Sequence, residues 1–175
     1  MDKSIFYMDE RITLAAFYTV ITSFLIGFLA LTQINKVKED LDKLLLFLFG
    51  LFFIFLSFDE YFEIHEYANT VVKNTLQKGT AFSQLSEMSW IFPLFFFILL
   101  VFGVFVLLFI REKEKQIKIP LMLGVICYIV VLILEVVGGQ TFGNDIYVWF
   151  VGAEEGFEMI GGSFFLLSVL NRQKS

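Results

Sequence analysis

Long apolar runs separated by short charged stretches organise this chain. They occupy residues 12 to 34, 41 to 66, 90 to 110, 119 to 137 and 146 to 170. Each comes close to or exceeds the roughly 20 residues a helix needs to cross a bilayer. The runs are continuously apolar and do not alternate, which favours helices over a transmembrane barrel. The pattern predicts an all-α fold: a polytopic integral membrane helical bundle of five transmembrane helices. The whole of 1 to 175 is read as a single membrane domain.

The first run carries Thr19, Ser23, Gly27 and Ala30 at helical spacing. Small residues in a stripe allow a neighbouring helix to come close. Between the second and third runs, residues 67 to 89 are too polar to span and predict an extramembrane or interface-lying segment. Pro93 stands near the first turn of the third run, where its missing amide is tolerated.

Loop charge sets the expected orientation. Lys36, Lys38 and Lys43 fall between the first two runs, and Arg111, Lys113, Lys115 and Lys118 between the third and fourth. Arg172 and Lys174 follow the fifth, whereas the opposite side has Lys3, Arg11, Lys73 and Lys78 spread over more chain. The positive-inside bias predicts the N-terminus outside and both lysine-rich loops in the cytoplasm.

Composition strengthens the membrane assignment. Hydrophobic residues make up 58% of the chain, 24 residues are Phe, and the mean hydropathy of +0.78 lies far from that of a soluble domain. The cell membrane is the expected location. The opening MDKSIFYMDER lacks the basic, apolar and small-residue order of a cleavable signal, so the first run is expected to remain as a span. The lone Cys127 excludes an intrachain disulfide and a cysteine metal site. The formal charge of −5 and the short basic loops offer no broad face for nucleic acid.

The acids change the picture most. SFDEYFEIHE at 57 to 66 carries Asp59, Glu60, Glu63, His65 and Glu66, and GAEEGFEMIGG at 152 to 162 repeats the order with Glu154, Glu155 and Glu158. Glu135 stands near the end of the fourth run. Carboxylates in hydrocarbon are costly and mark functional sites by default. In the predicted orientation all three runs put their acids in the outer half of the bilayer. Glu158 lies roughly 18 Å past Ile146 along a helix, close to the membrane centre. Helical spacing puts Asp59, Glu63 and Glu66 on one face, and Glu154 with Glu158 on another that continues to Gly161.

Countercharge is scarce. No Lys or Arg occurs between Lys118 and Arg172, an interval holding five acids, and none between Lys43 and Lys73. Arg11 is the one well-placed base. The acids therefore need protons, water or a bound cation. Oxygen-rich ligands suit a divalent metal cation of the Ca, Mg or Mn type, with His65 a further candidate ligand. Met159 reads as a packing residue.

Three functions fit these features. An ion transporter would use the acids as a cation or proton site. A metal-dependent membrane enzyme would use them against a lipid or amphiphile. A non-catalytic subunit would assemble through Phe-rich faces as a homo-oligomer or within a larger membrane complex. No nucleotide-binding or standard hydrolase motif is present.

Overall fold

The computed structural model describes residues 14 to 64, 67, 68, 71, 91 to 140 and 146 to 174. Among these residues the fold is all-α, with five long helices and no strand. They are α1 (Leu14–Gln33), α2 (Asp40–Phe62), α3 (Ile91–Arg111), α4 (Lys115–Gln140) and α5 (Tyr147–Lys174). Among the described residues, three stretches are long and apolar enough to cross a membrane: Leu14–Lys36, Asp40–Phe62 and Lys115–Gly138. The described apolar part of α3, Phe97–Arg111, is shorter. Phe17, Phe24 and Phe28 face outward from α1 and Leu44, Phe47 and Leu51 from α2, an exterior suited to lipid.

The small-residue stripe of α1 does what its spacing predicts. Thr19, Ser23, Gly27 and Ala30 are all buried, and α1 packs along α2 and α5. At the crossing with α2, a Cβ on Gly27 would stand 2.7 Å from the Gly50 carbonyl oxygen. A Cβ on Gly50 would stand 3.0 Å from the Gly27 carbonyl oxygen. Two glycines thus bring two backbones into contact. Ser57 seals the pair by donating to the Val20 carbonyl at 2.9 Å.

Aromatic rings fill the centre. Phe53 and Phe165 are fully buried, with ring centroids 5.0 Å apart. Phe105 lies 5.1 Å and Tyr128 5.4 Å from the Phe165 ring. The cluster joins α2, α3, α4 and α5, and such pairs add about 0.5–1.5 kcal/mol each beyond area burial.

The predicted helix bounds need two corrections. The fourth run begins a turn earlier than expected, at Lys115, so residues 115 to 118 are helix instead of loop. Pro120 lies inside that first stretch and lacks the amide that would bond to the Gln116 carbonyl. Helix α5 supplies the missing donor and a further one beside it. Asn171 Nδ2 donates to the Gln116 carbonyl at 2.8 Å, and Ser168 Oγ to the Ile117 carbonyl at 3.0 Å.

The second correction concerns α2, which ends at Phe62 and not at 66. Glu63 takes a left-handed conformation (φ 53°, ψ 42°), and its amide donates to the Asp59 carbonyl. The stop leaves Asp59 and Glu60 in the last turn, against the helix dipole, so their charges do not favour ending the helix here. Helical backbone resumes beyond, with the Tyr67 amide donating to the Glu63 carbonyl at 3.0 Å. The single continuous face of Asp59, Glu63 and Glu66 is therefore broken at Glu63. Glu66 and His65 lie outside the described residues, as do Arg11, Asp145 and nearly all of 67 to 89.

Candidate acidic site

The ends of the helices alternate so that Leu14, Phe62, Gln140 and Tyr147 share one end of the bundle. Glu60, Glu135, Glu154, Glu155 and Glu158 approach from this end on three different helices. Glu158 is the hub: Glu60 of α2, Glu135 of α4, and Glu154 and Glu155 of α5 all lie within electrostatic reach of it. Glu60 also reaches Glu155. The duplicated acidic motifs of α2 and α5 thus meet, and the α2 acid placed against both Glu155 and Glu158 is Glu60. Asp59 and Glu63 are half-buried at the end of α2.

Tyr128 is the residue that the acid pattern did not reveal. It stands between the acids and the aromatic core, within electrostatic reach of Glu158 and Glu60, with Ser23 of α1 beside its hydroxyl. Gly161 makes room for it. A Cβ there would lie 2.8 Å from the Tyr128 ring and 2.9 Å from Cys127 Cβ. The continuation of the Glu154–Glu158 face by glycine is therefore used for helix packing. A signal for Tyr128 was available: it falls seven residues before Glu135, on the same face of α4.

The α1 wall of the site is polar. Thr19 stands one turn before Ser23 on the same face, 8% exposed, and its Oγ1 has no hydrogen-bond partner. Thr22 of α1 meets Gly162 of α5, and the Tyr18 hydroxyl meets Ser163 Oγ at 2.7 Å. The two helices run in the same direction, so Thr19 is level with the turn that carries Glu158. Glu155 Oε2 is a second buried oxygen without a partner. Ser163 Oγ also donates to the Met159 carbonyl at 2.8 Å.

Among the described residues no three acidic, histidine or cysteine side chains are grouped closely enough to hold a metal ion. The acids that meet at Glu158 are spaced for electrostatic coupling. Cys127 is a free, buried thiol against α5. The arrangement can store charge or protons among Glu158, the acids around it and Tyr128.

A family model described as "Domain of unknown function (DUF8692)" matches residues 5–172. No curated protein and no solved structure matches the chain.

Proposed function

The chain belongs to that family, and we propose that it is a five-span protein of the cell membrane whose carboxylate cluster serves ion transport. Its N-terminus is outside, and the cluster opens outward. The site exchanges protons, or a divalent cation, with that face. Glu158 is the central group, Glu60, Glu154, Glu155 and Glu135 surround it, and Tyr128 closes the inner end. The observation that carries this reading is the meeting of acids from α2, α4 and α5 around one glutamate.

Two further facts support it. The sequence offers no Lys or Arg between positions 44 and 72 or between 119 and 171. The buried, partnerless oxygens of Thr19 and Glu155 are ready acceptors for a proton-carrying group or water. Protons are the favoured occupant because they need no converging set of ligands, whereas Ca, Mg or Mn would require these carboxylates to close around the ion.

The test uses the full chain purified into lipid vesicles. Proton uptake and thermal stability are followed across pH, and Ca, Mg and Mn are titrated by calorimetry. Wild-type protein is expected to take up or release protons around neutral pH, and Glu158→Gln to lose at least ten-fold of that response. Vesicle flux then reads transport directly. A protein whose stability and proton content ignore both pH and divalent ions would reduce the cluster to a structural one.

A further inference from the structure

A second site lies away from the acids, in the cleft between α2 and α3. It has a volume of about 280 Å³ and an entirely apolar lining that includes Leu48, Phe52 and Phe55 of α2 with Phe97, Leu100 and Val101 of α3. Helix α3 packs against α2 and only lightly against α4, which leaves this seam open on one side. Leu51 and Leu100 at its mouth are half exposed.

The shape selects the occupant. The lining extends from Phe97 to Phe105 on α3, roughly 12 Å along the helix axis. Spread over that length, the volume admits a single hydrocarbon chain lying along the helices. It excludes a helix of a second copy, whose diameter with side chains is about 10–12 Å. Charge points the same way. The slot begins about 9 Å from Arg111 and ends about 21 Å from it along α3. An acyl chain in that slot has its headgroup level with the α3–α4 turn. There Arg111 is engaged with Glu39 and Asp42, and Lys118 lies over the Phe109 ring at 4.3 Å. Lys113 and Lys115 are exposed and face no such demand from a described ion pair.

We propose that the α2–α3 cleft binds one acyl chain of an anionic phospholipid, with Lys113 and Lys115 attracting its headgroup. Juxtamembrane lysines attract anionic headgroups in this way, and the buried chain adds apolar contact. The proposal rests on the transmembrane placement of α2 and α3 and is independent of what occupies the acids.

The experiment reconstitutes the full chain in vesicles of one part phosphatidylglycerol to three parts phosphatidylcholine and counts retained lipids by native mass spectrometry. Wild type is expected to retain one lipid, with the ratio of phosphatidylglycerol to phosphatidylcholine at least five-fold above that of the vesicles. Lys113→Gln with Lys115→Gln should remove the enrichment and keep the retained lipid. Leu100→Trp, which fills the mouth, should lower retention of both lipids at least five-fold. A separate measurement avoids dependence on that variant. Phe52→Trp, in a chain with Trp90→Phe and Trp149→Phe, should be quenched by phosphatidylglycerol brominated along its chains. Retention unchanged by Leu100→Trp, an unquenched Trp at 52, or a cross-link from the cleft to a second copy or to residues 72 to 90 would overturn the proposal.

Discussion

The two ends of the bundle handle charge in opposite ways. At the end where α1 passes to α2 and α3 to α4, Glu39, Asp40, Asp42 and Glu112 each have a base beside them. Arg111 joins Asp42 and Glu39, Arg172 joins Glu112, and Lys43 lies 2.8 Å from Asp40. These pairs tie the two turns and the end of α5 into one plate, reinforced by Gln33 Nε2 donating to the Val169 carbonyl at 3.0 Å. At the other end, acids from three helices gather around Glu158. The first arrangement spends its charges on holding helices together. The second gathers like charges around one glutamate, an arrangement that opposes folding.

That contrast can be broken by mutation. The largest effect on stability is expected from Arg172→Met. It leaves Glu112, only 8% exposed, without its partner, at a cost of about 1–3 kcal/mol. Unfolding in detergent should show the loss, and adding Glu112→Met should restore most of it. If the single variant is as stable as wild type, the plate is not a structural tie.

Asn171→Leu comes next. It removes the donor to the Gln116 carbonyl that Pro120 leaves open, at about 1 kcal/mol. In a chain with Pro120→Ala, which restores the helical amide, the same substitution should cost less. Equal costs in the two backgrounds would show that Asn171 does not stand in for the missing amide.

At the acid end the sign reverses. Glu155→Gln should leave stability unchanged or raise it by up to about 1 kcal/mol, because a neutral amide relieves like-charge repulsion around Glu158. A clear loss of melting temperature would place Glu155 among the structural acids.

The smallest effect sharpens the paired end through pH. The hydrogen bond and charge of Lys43 hold the Asp40 carboxyl below its ordinary value of 3.8. A depressed carboxylate stabilises the fold above its unfolded-state value, and that contribution disappears as pH falls through the lower folded value. Lys43→Gln should therefore melt slightly below wild type at neutral pH, and the two should converge in acid below about pH 4. Because the pair is exposed, salt should shrink the difference further. A gap that persists in strong acid would assign the effect to something other than Asp40.

Much of this was legible in the residues themselves. The apolar runs and the charged turns between them marked five long helices, because apolar length and helix period are local properties of the chain. The α1 stripe announced a close contact, and the recurrence of acids in α2 and α5 announced that those helices share an environment. Helix ends were less legible. Nothing local distinguished Glu63 as the left-handed stop of α2, since the charges of Asp59 and Glu60 do not favour ending the helix there. Pro120 lies within α4 because the Gln116 carbonyl that it orphans finds a donor 55 residues away, on Asn171 of α5.

The partner of each helix face was decided only in three dimensions. Sequence spacing grouped Asp59 and Glu63 on one face of α2, but the packing of α2 against α1 through Gly27 and Gly50 sets the rotation of α2 and brings Glu60 to the hub. Tyr128 acquired its place for the same reason: Gly161 lets α4 close on α5 until the ring sits between acids and aromatic core. The chain by itself determined that it is helical, apolar and acidic in two matching places, because hydropathy and charge are written residue by residue. Which acids approach one another, and which tyrosine lies beside them, depends on helix rotation and depth. Those follow from glycine contacts and ring packing between segments distant in sequence, and only the tertiary structure decided them.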